Sequence, residues 1–187
     1  MFHEDIYWKG IQPRGLEHLR LDWDCQISAD GILIAENPTE NKMDYFSLQY
    51  YLQADNNLAT QEWNIQCFWN GQTLKLYLNF DGSQWSGHLN GMRLQNIPKA
   101  KYVDLSCTPF TNIFPIRELL LSGKQDITTD VLYIESPSLM VKASRQTYSK
   151  VSTTEFRYSP LSSTKKYEIK TNSFGVVTKY DNLWEII

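Results

Sequence analysis

The chain has 187 residues, 21% of them charged, and its formal net charge is −3. A chain of this length can bury a self-sufficient core, so we predict a single domain over residues 1–187. Its lysines and arginines are scattered rather than clustered, which argues against nucleic acid as a ligand. The same composition argues against a disordered chain.

The three cysteines, Cys25, Cys67 and Cys107, form no close pair in the sequence. An odd number without a spacing motif argues against a disulfide framework and a zinc site, so we predict reduced, buried cysteines within strands, no metal and no cofactor. The N-terminus lacks the basic and apolar regions of a secretory signal. No apolar run is long enough for a transmembrane helix. We therefore expect a cytoplasmic protein without a transmembrane segment.

The first half of the chain is dominated by strand patterns. Residues 73–80 alternate strictly between apolar and polar positions, as a half-buried strand does. Turn signals stand on either side of it, Asn70 with Gly71 and Asp81 with Gly82. The pattern predicts an antiparallel meander of three strands, at about 61–70, 72–81 and 83–90.

Residues 102–121 interrupt this pattern. Pro109 and Pro115 exclude a central strand, because proline removes a donor from the ladder. We predict one short helix at about 112–121, with Pro115 in its first turn and Gly123 as its C-terminal stop. A break near 95–100, with a proline at 98, suggests a division between two sheets.

Strand patterns return after the helix, at about 127–135, 139–150, 154–158, 167–171 and 176–180. Aromatic and β-branched residues are frequent in these runs, as strands prefer. We therefore predict an all-β chain of about eleven strands, mainly antiparallel, with one short helix.

The interrupted region also resembles a known family. It carries Val-Asp-Leu at 103–105, Thr-Pro-Phe-Thr-Asn at 108–112 and Pro-Ile-Arg at 115–117. These motifs are similar to those of the bacterial "putative glycolipid-binding" family. The Gln-Thr-Tyr at 146–148, the Phe-Arg-Tyr at 156–158 and the C-terminal Phe-Gly-Val-Val at 174–177 resemble later strands of that family.

The resemblance implies a large antiparallel sheet curled into a spiral β-roll, similar in outline to the open barrels that carry lipoproteins. It also implies that a glycolipid or fatty acyl compound binds on the concave face without catalysis. The residues expected to contact the head group are Asn112, Arg117, Gln146 and Tyr148. The residues expected to form the structural motif are Asp104, Thr108, Pro109 and Pro115.

Asp104 and Arg117 lie among apolar neighbours in this motif, and a buried arginine requires a partner. We expect a salt bridge between them, while an Arg117 that anchors a ligand phosphate or carboxylate is the alternative.

Two other functions stay open at this point. A hydrolase that acts on a lipid or sugar ester in the same cavity is one, although His3, His18 and His88 show no metal-type spacing. A protein–protein interaction domain that uses an exposed sheet edge is the other. We predict binding rather than catalysis.

Overall fold

A computed structural model describes residues 2–38 and 43–187 of the chain. Within these ranges the chain forms fifteen β-strands, one 3₁₀ turn and one α-helix. All the strands belong to a single curled sheet. The predicted all-β roll with one short helix is therefore confirmed, although the sequence pattern predicted fewer strands.

The first eight strands make up the N-terminal half of the sheet. They are β1 (Phe2–Ile11), β2 (Arg14–Trp23), β3 (Ile27–Pro38), β4 (Met43–Ala54), β5 (Thr60–Trp69), β6 (Gln72–Phe80), β7 (Trp85–Leu89) and β8 (Met92–Arg93). The helical region is the 3₁₀ turn Phe110–Asn112 followed by α1 (Ile113–Ser122). The remaining strands are β9 (Tyr102–Leu105), β10 (Asp126–Glu135), β11 (Met140–Lys150), β12 (Glu155–Pro160), β13 (Tyr167–Thr171), β14 (Val177–Tyr180) and β15 (Trp184–Ile186).

The sheet consists of two meanders that meet where β1 pairs with β15. Neighbouring strands are antiparallel except β9 and β10, which are parallel. The free edges are β8 and β9, which do not pair with each other in the described part of the chain, so the roll is not closed. The segment near 95–100 therefore does not divide two sheets. It connects the two edges of one continuous sheet.

The predicted meander of three strands is confirmed as β5, β6 and β7. Asn70 and Gly71 both have positive φ angles, as the tight turn between β5 and β6 requires. Gly82, with a φ angle of 94°, serves the turn between β6 and β7. The alternation of buried and exposed positions along these strands follows from the two-residue period of a strand.

The predicted helix is also confirmed, within one residue at each end. Pro115 lies in the first turn of α1, and Gly123 ends the helix in the left-handed conformation with a φ angle of 68°. The helical region fills the inside of the curl. Phe110 and Phe114 belong to the same core as the inward side chains of the first seven strands. The concave face of the first seven strands is therefore packed with side chains around the helix.

The predicted burial of each cysteine within a strand is right for one of the three. Cys67 is buried in β5. Cys25 instead lies exposed in the bend between β2 and β3, and Cys107 lies partly buried in the loop that follows β9. In both cases the observed strand ends two residues before the cysteine.

Candidate functional site

An open cleft of about 720 Å³ lies on the inner side of the second meander, between the loop that follows β9 and strands β10 to β14. Four tyrosines from four different strands line it, together with a carboxyl group and an amide near the helical region. We call it the tyrosine cleft and define it by Tyr133, Tyr158, Tyr167, Tyr180, Asp104 and Asn112.

The tyrosines meet because their strands pair in a fixed register. Tyr158 is directly opposite Tyr148 on one side and Tyr167 on the other, so all three side chains share one face of the sheet. The ring of Tyr180 meets Tyr158 and Tyr167 edge-on, with centroid distances of 6.2 and 5.8 Å. Burial raises the pKa of Tyr158 and of Tyr180 above its usual value. A tyrosine hydroxyl is protonated at neutral pH even without this rise, so both groups can donate hydrogen bonds.

Asp104 places a carboxyl group at the cleft, close to the start of the helical region. Thr111 Oγ1 donates to its Oδ1 at 2.7 Å, and Gln146 Nε2 donates to its Oδ2 at 2.6 Å. Burial raises the pKa of Asp104, and the two hydrogen bonds oppose that rise. Each carboxylate oxygen has more than one lone pair, so Asp104 can accept a further hydrogen bond from a ligand.

Asn112, Gln146 and Tyr148 form a polar network behind this carboxyl group. The Tyr148 hydroxyl lies 2.9 Å from Asn112 Oδ1 and 3.2 Å from Gln146 Oε1, and its single proton serves one of them at a time. Asn112 Nδ2 donates to the Pro109 carbonyl oxygen at 3.0 Å. Gln146 and Tyr148 are each only 1% exposed. They lie behind the cleft wall and position Asp104 and Asn112.

Arg117 lies apart from this network. Its guanidinium carbon is 4.7 Å from the ring centroid of Phe174 and 5.6 Å from that of Trp23. The expected salt bridge between Asp104 and Arg117 is wrong, because neither residue forms an ion pair within the described ranges. Neutral donors satisfy Asp104, while Arg117 is partly exposed and stacks on aromatic rings. Partial burial lowers the pKa of Arg117.

Of the four residues predicted to contact a head group, Asn112 lines the cleft, whereas Arg117, Gln146 and Tyr148 are not among the residues that line it. Two residues of the predicted structural motif, Asp104 and Thr108, also line the cleft. The central motif thus lies beside the cleft, and the assignment of these residues to ligand contacts or to structural support stays a prediction.

Thr108 connects the cleft to a buried carboxyl group in the core. Its Oγ1 donates to Glu17 Oε1 at 2.7 Å, and the Tyr50 hydroxyl donates to the same oxygen at 2.7 Å. Glu17 is 3% exposed, and its Oε2 has no hydrogen-bond partner among the described residues. Burial raises the pKa of Glu17 to about 7. Phe110 N donates to Thr108 Oγ1 at 3.0 Å, so this group also holds the start of the 3₁₀ turn.

Comparison with known proteins identifies the family. The sequence profile of the family described as "Putative glycolipid-binding" matches residues 5–185. The chain belongs to this family. The resemblance that the central motif indicated is confirmed. No curated protein matches the chain.

Two solved structures are similar to this chain in fold. The chain is similar to a DUF1089 family protein from Pseudomonas aeruginosa, with 26% identity and a TM-score of 0.77 over 91% of this chain and 92% of that one. It is also similar to a β-barrel-like protein of the domain of unknown function DUF1849 from Brucella abortus. That likeness has 6% identity and a TM-score of 0.62 over 99% of this chain and 94% of that one, and it shows the fold alone.

The tyrosines of the cleft are the residues that sequence reasoning did not single out. A signal for two of them was present. Tyr158 follows the inward Phe156 by two positions, and Tyr167 precedes the inward Ile169 by two, so the strand period places both on the inner face. Glu17 carried the same signal, since it alternates with the buried Leu19 and Leu21.

Other chemistry of the described residues lies away from the cleft. His3 and His18 are paired with Asp22 and Asp5 on exposed parts of β1 and β2, and His88 is exposed on β7. Within residues 2–38 and 43–187, no group of three or more histidine, cysteine or acidic side chains is placed to hold a metal ion. In the same ranges, every helix is too short or too polar to cross a membrane.

Proposed function

We propose that the tyrosine cleft binds an amphipathic, lipid-like ligand such as a glycolipid, and that it binds without catalysis. The observation that carries this proposal is the composition of the cleft. An open space of about 720 Å³ is walled by four tyrosine rings and has Asp104 and Asn112 at one side. The description of the family, putative glycolipid-binding, supports the same class of ligand.

The cleft offers both kinds of contact that an amphipathic molecule needs. Tyrosine rings present flat apolar faces, and their hydroxyl groups remain available for hydrogen bonds. Asp104 and Asn112 are held by buried partners, so a ligand hydroxyl meets polar groups that are already oriented. Each buried methylene of an alkyl chain contributes about 0.8 kcal/mol to the binding free energy. The cost of association is subtracted from the total.

The surroundings of Asp104 support binding rather than hydrolysis. General acid–base catalysis needs a proton acceptor or donor near the reacting bond, and histidine is the commonest one. The described histidines lie away from the cleft. Both oxygens of Asp104 already accept hydrogen bonds from Thr111 and Gln146, as in a carboxyl group that positions a ligand.

Isothermal titration with hexyl, octyl and nonyl β-D-glucoside, each below its micellar concentration, tests the proposal. We expect affinity to rise with chain length, and Tyr167→Ala to weaken octyl glucoside binding by about tenfold, equivalent to ~1.4 kcal/mol. Tyr167→Phe separates the contribution of the hydroxyl from that of the ring. Tyr45→Ala is the matched control, because Tyr45 is exposed on β4 and does not line the cleft.

Two results would contradict the proposal. One is the same affinity for octyl glucoside in the Tyr167→Ala protein and in the unmodified protein. The other is turnover of p-nitrophenyl octanoate that disappears in the Asp104→Asn protein, since this would assign a hydrolase to the cleft.

A further inference from the structure

A second groove, of about 740 Å³, lies over strands β2 to β7. Its exposed residues alternate along the strands with core residues, so the groove opens on the outer face of the sheet, away from the packed interior. We call it the outer-face groove. It crosses six strands, and at the usual strand spacing it spans roughly 24 Å.

The middle of the groove consists of two adjacent rows of side chains that cross strands β3 to β6. Pairing in register places the members of each row directly opposite one another. The first row is Ile32, Gln49 and Gln66. The second row is Tyr51, Asn64 and Tyr77.

These rows combine flat apolar surfaces with uncommitted amide groups. Ile32 is 52% exposed and Tyr77 is 38% exposed, so both present apolar surface to the groove. The side chains of Gln49 and Gln66 form no hydrogen bond with any described residue. An amide side chain offers two N–H donors and one carbonyl acceptor. It can therefore form hydrogen bonds with two neighbouring hydroxyl groups of a ligand at once.

The charges in the groove are nearly balanced. Arg20 and Lys75 bring two positive charges and Asp30 one negative charge. A polyanion requires a clustered basic surface, and this groove does not provide one. Its chemistry therefore fits a neutral ligand rich in hydroxyl groups.

The outer face of the second meander differs from this pattern. There Lys170 and Glu155, opposite each other on β13 and β12, form an ion pair at 2.9 Å. Charged side chains that pair with each other leave few groups free for a ligand. The free amides of Gln49 and Gln66 in the outer-face groove contrast with this paired position.

We propose that the outer-face groove binds a neutral oligosaccharide chain that lies across strands β2 to β7. Sugar rings pack on Tyr77 and Tyr51, and their hydroxyl groups exchange hydrogen bonds with Gln49 and Gln66. Asn64 Nδ2 already donates to Glu62 Oε1 at 2.6 Å, so Asn64 offers its amide oxygen as an acceptor. This site is separate from the tyrosine cleft, and it takes a saccharide without a lipid part.

Titration of the full chain with maltohexaose, cellohexaose and hexa-N-acetylchitohexaose, followed by amide NMR shifts, tests this proposal. We expect at least one of them to bind, with shifts concentrated on β3 to β6. Tyr77→Ala and Gln66→Ala should each weaken that binding by about tenfold, equivalent to ~1.4 kcal/mol. The matched control is Phe68→Ala, because Phe68 is exposed on the same strand as Gln66 and does not line the groove.

Several results would overturn the proposal. The first is the absence of shifts with all three hexasaccharides. The second is equal binding by the Tyr77→Ala and unmodified proteins. The third is a dimer, detected by sedimentation, that Tyr77→Ala dissociates, since a second copy of the chain would then occupy the groove. Tyr167→Ala, in the tyrosine cleft, should leave hexasaccharide affinity unchanged, so the two proposals fail independently.

Discussion

Glu17 makes the stability of this protein depend on pH. Its carboxyl group is buried, and burial raises its pKa from an ordinary value of 4.5 to about 7. The folded protein therefore holds a proton that the unfolded chain releases between these two pH values. The associated stability is fully present below pH 4.5 and is lost as the pH rises through about 7.

The size of this effect follows from the same two values. Each factor of ten in proton affinity corresponds to roughly 1.4 kcal/mol, so the step from 4.5 to about 7 corresponds to about 3 kcal/mol. Glu17→Gln replaces the carboxyl group with a neutral amide that keeps an oxygen for Tyr50 and Thr108. Relative to the unmodified protein, we expect the variant to gain about 3 kcal/mol of unfolding free energy between pH 4.5 and alkaline pH.

Urea denaturation at about pH 5 and about pH 8 measures most of this gain. Glu168→Gln is the control, because Glu168 is exposed and the substitution removes the same charge. We expect the control to follow the unmodified protein at both pH values. If Glu17→Gln changes stability equally at both pH values, the carboxyl group does not carry a raised pKa and the reasoning is refuted.

Two further substitutions test the residues around the helical region. Tyr148→Phe leaves the oxygens of Asn112 and Gln146 without their shared donor. We expect the unfolding free energy measured in urea to fall by about 1–3 kcal/mol. An unchanged urea midpoint would show that these hydrogen bonds do not stabilise the fold. Arg117→Ala removes the guanidinium group that stacks on Phe174. We expect the variant to fold, with its unfolding free energy from thermal denaturation lowered by about 1–2 kcal/mol. Its affinity for octyl glucoside should be unchanged. Loss of that affinity would instead make Arg117 a ligand anchor.

The sequence predicts most of this fold because alternation and turn residues are local signals. The meander of β5 to β7 follows from the apolar period and from Asn70 with Gly71. The helix follows from Pro115 and Gly123. The strand count was too low because several short strands, such as β8 and β15, contain too few residues for an alternating pattern to be recognised.

The candidate site was less predictable because its contacts join distant parts of the chain. The motif around Asp104 was found, but its partner Gln146 is 42 residues away and is set by strand register. Arg117 was assigned to Asp104 because both lie among apolar residues. Its actual partners, Trp23 and Phe174, come from the two ends of the chain, and no local pattern relates them.

The lengths of the edge strands bear on how this open roll behaves at high concentration. The sheet tapers towards its free edges, where β8 has two residues and β9 has four, compared with twelve in β3 and in β4. An unpaired edge can recruit a strand from another molecule and start fibre-like growth. Edges this short present few backbone groups to recruit with. We therefore expect the taper to limit recruitment at these edges, although the barrel is not closed.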